Sequence, residues 1–220
     1  MNLSDLKKSL KELSIWQIET NSEAGVDDSR HILQNLRTRN GLLKYSCPLT
    51  LDPNTANKFL HLSAGNKTVM CEKKKNQYPD HPDRFDVWLE VLCRETLSEA
   101  CCYWEVEWRG EEIDIGVTYK GITRKGNGDE SSLGHNDKSW NLCCTHSGYT
   151  AWHKNKKTQI SALCTPRIGV YLDWPAGSLS FYSISHKMTL LHKFNACFEP
   201  LYPEFGFEWN FSVTICPPDQ

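Results

Sequence analysis

From Cys47 onward the chain alternates apolar and polar side chains in run after run, and this two-residue period constrains its fold more than any other feature. Trp104, Val106 and Trp108 alternate with Glu105 and Glu107; Ile113, Ile115, Val117 and Tyr119 alternate with Asp114, Gly116 and Thr118. Ile168, Val170 and Leu172 alternate with Gly169 and Tyr171, and Phe211, Val213 and Ile215 with Ser212 and Thr214. Successive side chains of a strand point to opposite faces, so each run sends one row to a core and the other to solvent or a second layer. Turn signals part the runs at Arg109-Gly110, at Gly126-Asn127-Gly128-Asp129 and at Pro175-Ala176-Gly177. The last predicts a hairpin between 168–172 and 179–182. Many short strands with turns between them point to a sandwich or barrel. Eight Trp, eight Tyr and eight Phe fit that reading, because aromatic rings pack well on pleated surfaces. Trp104 and Trp108 are assigned to the core.

Residues 1–46 read differently. Leu3, Leu6, Leu10 and Leu13 share one helical stripe, with Ser4 placed to cap it and Lys7, Lys8 and Lys11 mainly off it. The stripe covers less than two heptads, too few to define a coiled coil. It either packs on the domain, the favoured reading, or self-associates with a second copy. After a polar break at 21–25, Asp27 or Asp28 caps a second helix containing Ile32, Leu33 and Leu36, and Arg39-Asn40-Gly41 is its expected exit.

The formal net charge of −2 argues against a dedicated nucleic-acid binder, which draws its affinity from a basic excess. The basic run Lys73-Lys74-Lys75 reads as a solvated loop. No run approaches the ~18 consecutive apolar residues of a membrane span, and the lysine-bearing N-terminus does not resemble a secretory signal. A cytoplasmic location is therefore expected, with the ten cysteines as free thiols.

Catalytic motifs are missing from the sequence. There is no Gly-x-Ser-x-Gly elbow, no His-Glu-x-x-His and no phosphate loop. Cys143-Cys144-Thr145-His146 and the group His81, Asp83 and Asp86 carry metal-ligand residue types, but neither has the matching second half that a zinc site requires. No enzyme activity, cofactor or metal is expected.

Particular residues now become informative. Leu49-Thr50-Leu51-Asp52-Pro53-Asn54-Thr55-Ala56 with Leu60-His61-Leu62-Ser63 resembles the opening of a PRY segment. Tyr78-Pro79-Asp80-His81-Pro82-Asp83-Arg84-Phe85-Asp86 is similar to the link from PRY into SPRY. Val91-Leu92-Cys93-Arg94-Glu95 and Trp104-Glu105-Val106-Glu107 follow in family order. So do Gly169-Val170-Tyr171-Leu172-Asp173, Gly177-Ser178-Leu179-Ser180-Phe181-Tyr182, Pro200-Leu201-Tyr202-Pro203 and Thr214-Ile215-Cys216-Pro217. One departure is Leu172-Asp173-Trp174-Pro175, where the family commonly has Leu-Asp-Tyr-Glu; it alters a hairpin tip.

The resemblance implies an all-β fold, a two-layer bent antiparallel sandwich of the concanavalin-like SPRY kind, behind a helical segment at 1–46. PRY would span 47–100 and SPRY 101–217. It also implies a protein-recognition module, as in tripartite-motif ubiquitin ligases, butyrophilins and some NOD-like receptors, working in innate-immune or ubiquitin-linked sensing. In those ligases a separate RING transfers ubiquitin; with no Cys-x-x-Cys pair here, these 220 residues alone are not expected to be the ligase. By motif, the recognition surface falls on Tyr119 and Lys120, the strand after Trp140, and the segment 205–211. Some members place two tryptophans where this chain has Cys143 and Thr145, so their ligand does not carry over. Tyr149, Trp152 and His153 in the loop that follows, with Phe207 and Trp209, are the aromatic candidates for gripping a protein ligand. A groove lined by Lys120, Tyr149, Trp152, Phe207 and Trp209 is the expectation. The alternative is an RNA-binding surface in which Lys73, Lys74, Lys75, Lys154, Lys156 and Lys157 flank Trp152.

Overall fold

The computed structural model describes residues 38–218; the two helices expected before residue 38 lie outside the described residues. The chain divides into two compact units, Met1–Leu42 and Leu43–Gln220. Helix α1 (Arg39–Leu43) occupies the segment expected to be a helix exit. Thr38 is the reason. Its Oγ1 accepts the Gly41 N–H at 3.1 Å, so Thr38 caps a new turn where an ending had been expected.

The second unit is a sandwich of two antiparallel sheets. One sheet runs β1 (Leu60–Leu62), β2 (Thr68–Cys71), β13 (Ser212–Ile215), β4 (Cys101–Arg109), β9 (Arg167–Asp173), β10 (Ser178–Ile184), β11 (Met188–Asn195). The other runs β3 (Glu90–Leu92), β12 (Leu201–Phe207), β5 (Glu112–Tyr119), β6 (Ser139–Thr145), β7 (Gly148–His153), β8 (Lys156–Ile160). The expected rows meet between them. Trp104, Val106 and Trp108 of β4 and Ile168, Val170 and Leu172 of β9 pack with Ile113, Ile115 and Val117 of β5, all buried. The two tryptophans expose 3% each. The predicted hairpin joins β9 to β10, with Leu172 opposite Leu179 and Gly177 at φ +61°, a conformation that glycine adopts without strain.

The second row of β4 is buried at Tyr103 and Glu105 and reaches solvent at Glu107 and Arg109. The Tyr103 hydroxyl donates to Glu105 Oε1 at 2.7 Å, both side chains are buried, and Arg167 reaches Glu105 at 3.5 Å and Glu107 at 2.7 Å. Gly169 lies opposite Glu105, and a Cβ there would stand 2.6 Å from the Tyr103 hydroxyl. Residues 45–47 pair along the edge of β4, the Tyr103 N–H donating to the Tyr45 carbonyl and the Cys47 N–H to the Tyr103 carbonyl, and the Tyr45 ring meets Tyr171 at 5.8 Å. Cys47 and Cys102, 5.6 Å apart at Cα, are disulfide-bonded. This corrects the expectation of free thiols throughout. The 55-residue separation hides the pairing from sequence, and the parallel bridge between Ser46 and Tyr103 creates it. The other eight cysteines are free.

Candidate binding groove

Alternation in the six-stranded sheet gives it an outer face as well as a core face. Across adjoining strands, Glu204, Gly116, Asn141, Trp152 and Lys157 form one outward row. Glu90, Gly206, Asp114, Cys143 and Thr150 form the next. Residues 120–138 fold over part of these rows. Leu133 is buried and its N–H donates to Glu90 Oε1 at 3.0 Å, while His135 lies against the Trp152 ring with centroids 4.7 Å apart. Carboxylates on a strand's polar row are thereby taken out of water.

The charges respond to that burial. Burial and neighbouring Glu112 push Asp114 up to about 7, although Asn141 Nδ2 donates to its Oδ1 at 2.6 Å. Burial, and then the Glu204 carboxyl, raise Glu90 well above the carboxylate range. Glu204 is raised by burial to about 8, with Arg124 pulling the other way. The Glu90 and Glu204 carboxyls adjoin, so a proton held by one can be shared with the other.

Where the cover ends, two adjoining cavities open. A large one of about 1030 Å³ is bordered by Glu111, Glu112, His146, Glu208, Trp209 and Phe211. A second, of about 300 Å³, reaches Trp88, Glu90, Asp114, Asp129, His135 and Phe207. Glu112 and Glu208 border both, which makes the two one groove. Among the described lining residues there is no Lys or Arg.

Of the candidates read from sequence, Phe207 and Trp209 border this groove. Trp209 is 40% exposed and meets Phe59 edge-on at 5.2 Å. Trp152 is half-buried behind His135. Tyr149 is a correction: it is 3% exposed, and its hydroxyl accepts the Thr165 N–H at 2.7 Å. The segment expected to be a loop is strand β7, paired with β6 through a turn at His146 and Ser147. Strand alternation then turns Tyr149, Ala151 and His153 inward and Thr150 and Trp152 outward. His153 stacks on Trp140 at 4.5 Å, Tyr119 meets the same ring at 5.2 Å, and Lys120 is exposed just beyond β5. Lys120, Tyr149 and Trp209 therefore do not line one groove. Lys154, Lys156 and Lys157 are exposed at the β7–β8 turn, with Lys157 opposite Trp152 in register. Glu90, Glu112, Asp114, Trp88 and His135 were not foreseen, whereas Glu208 falls within the expected segment 205–211. The one signal was Asp114's place in an alternating row, which specifies a face and not its cover.

A rigid antiparallel sandwich with a loop-bordered groove is the architecture of a binding domain. Comparison with known proteins gives the family. The SPRY-associated domain, PRY, matches residues 49–97, and the SPRY domain matches residues 101–220. The chain belongs to the PRY–SPRY family. It is 44% identical to stonustoxin subunit beta from Synanceia horrida over 79% of this chain and 25% of that protein. It is 39% identical to tripartite motif-containing protein 16 from Mus musculus, over 77% of this chain and 31% of that protein. The chain thus spans about a quarter to a third of the length of these relatives. Among solved structures, the TRIM65 PSpry domain superposes with a TM-score of 0.76 at 29% identity, covering 81% of this chain and 94% of that one.

Proposed function

We propose that this PRY–SPRY domain recognises a partner protein through the groove beside β5 and β12, in innate-immune or ubiquitin-linked sensing. The observation that carries the reading is the pair of adjoining cavities bordered by Trp88, Phe207 and Trp209 on a rigid sheet. Large aromatic rings at a preformed concavity are the usual anchors of protein interfaces. A relative named E3 ubiquitin-protein ligase TRIM65, from Mus musculus and 34% identical, supports the ubiquitin-linked setting.

Affinity capture with the full chain, repeated with Trp209→Ala, tests it. The captured partner is expected to be lost from the variant while thermal unfolding is unchanged. Equal capture by the two proteins, together with a Phe207→Ala variant that also binds normally, would overturn this placement of the interface.

A further inference from the structure

We infer that Asn127 is a site of spontaneous covalent modification, its side-chain amide being lost through a cyclic imide to leave aspartate or isoaspartate in the loop that covers the six-stranded sheet. The sequence holds two Asn-Gly pairs, Asn40-Gly41 and Asn127-Gly128. In such a pair the glycine nitrogen can reach the asparagine Cγ, because glycine has no side chain to obstruct the approach and its backbone turns freely. The fold treats the two pairs oppositely. Asn40 lies within helix α1, where the buried Gly41 donates its N–H to Thr38 Oγ1 at 3.1 Å. Helical backbone holds that nitrogen away from the Asn40 side chain, and the hydrogen bond opposes its deprotonation. Asn127 is exposed in irregular backbone. Among the described residues no hydrogen bond engages its side chain or the Gly128 N–H. Gly126 before it has φ +90° and open space around its Cα, so the pair has room to swing.

The chemistry balances with water alone. Hydroxide takes the Gly128 amide proton, and the nitrogen adds to Asn127 Cγ. The Cγ–Nδ2 bond then breaks, and the side-chain nitrogen leaves as ammonia with a proton drawn from water, closing the imide. Water opens the ring at either carbonyl. Attack at Cγ gives aspartate. Attack at the main-chain carbonyl gives isoaspartate, in which the backbone runs through Cβ and Cγ and is one carbon longer. Nothing is oxidised or reduced.

The surroundings give the change a consequence. Both products set a new carboxylate next to Asp129 and Glu130 in the chain. Isoaspartate also lengthens the backbone between two carbonyls that share one donor. The buried Ser131 hydroxyl donates to the Gly126 carbonyl at 3.2 Å and to the Gly128 carbonyl at 2.9 Å. The Ser131 N–H donates to the Gly128 carbonyl as well, at 3.1 Å. An inserted carbon parts the two carbonyls, so this pin is lost and the turn at Asp129–Ser131 loosens. Asp129, Ser132 and His135 border the smaller cavity, so the change reaches the rim of the groove.

Ageing the full chain in mildly alkaline buffer, followed by peptide mapping and by methyl transfer from S-adenosylmethionine with a protein isoaspartyl methyltransferase, tests the inference. Asn127 should convert severalfold faster than Asn40, whose reaction waits on local opening of its helix. In denaturant the two rates should come together. Asn127→Gln should remove the methyl-accepting peptide. Hydrogen exchange at the Ser131 amide should quicken in the isoaspartyl chain and stay slow in Asn127→Asp, which adds the charge without the extra carbon. Equal conversion of the two asparagines in the folded chain, or none at Asn127, would overturn the site. Unchanged Ser131 exchange in the isoaspartyl chain would overturn its effect on the cover.

Discussion

Glu90 on β3 and Glu204 on β12 bring their carboxyls together in the interior, where one proton can serve both. Burial raises Glu204 to about 8, whereas an unfolded glutamate titrates near ~4.3. The folded protein therefore holds a proton that the unfolded chain has released between those pH values. Stability falls as pH rises through that window, at up to ~1.4 kcal/mol per pH unit for this group, and is fully recovered below the unfolded value. Glu204→Gln keeps the shape and removes the charge. Denaturant unfolding at pH 5 and pH 8 should show the variant gaining on the wild type as pH rises; a constant difference would refute the assignment.

The Cys47–Cys102 bond closes a loop spanning a 55-residue separation. In the chain-entropy view such a cross-link stabilises by roughly 2–4 kcal/mol through restriction of the unfolded state. Reduction, or Cys47→Ser, should lower the unfolding free energy by that order. The double variant Cys47→Ser/Cys102→Ser should match the reduced wild type. No change in melting on reduction would show that the bond does not form in solution.

Gly169 has no room for a methyl group. A Cβ would meet the Tyr103 hydroxyl at 2.6 Å and its ring carbons at 3.1 and 3.2 Å. Gly169→Ala should cost about 1–3 kcal/mol, the usual range for overpacking a core. Tyr103→Phe in that background removes the closest atom, so the double-mutant cycle should show a favourable coupling. Strict additivity would place the strain elsewhere.

Tyr149 and Trp209 separate folding from recognition. Tyr149→Ala removes a buried ring and the hydroxyl that holds Thr165, and should destabilise the domain by about 3–5 kcal/mol. Trp209→Ala removes a ring that is 40% exposed and should change stability by about 1 kcal/mol or less while weakening partner binding. Unfolding curves with a binding titration on both variants check the contrast. The reverse pattern would exchange their roles.

Much of the sandwich was legible because strand alternation is local. Trp104, Trp108 and Ile168 declared their inward face within a few residues, and Gly177 declared its turn. What alternation cannot say is which face acquires a second cover. Glu105 and Asp114 sit in rows assigned to solvent or a second layer, and with residues 45–47 beside β4 and 120–138 over β3, Glu105 is buried and Asp114 half-buried. Those segments are irregular backbone, held by contacts far apart in sequence, so no periodicity announces them. Tyr149 was misplaced for a related reason: a two-residue turn at His146 and Ser147 lacks the usual Asn-Gly signal, so β7 read as loop. The groove's acids went unseen because their convergence is a property of β3, β5 and β12 together.

Strand β13 is inserted between β2 and β4, so residues 212–215 complete a sheet begun at residue 60. During synthesis the early strands must leave the ribosome and wait. Val69 and Val106, buried in the finished domain, have no lasting place until nearly all of this stretch has emerged. A nascent chain halted before that point carries two open sheet edges that can pair with other chains. Trimming even a few residues inside β13 would therefore leave β2 and β4 without the strand that joins them.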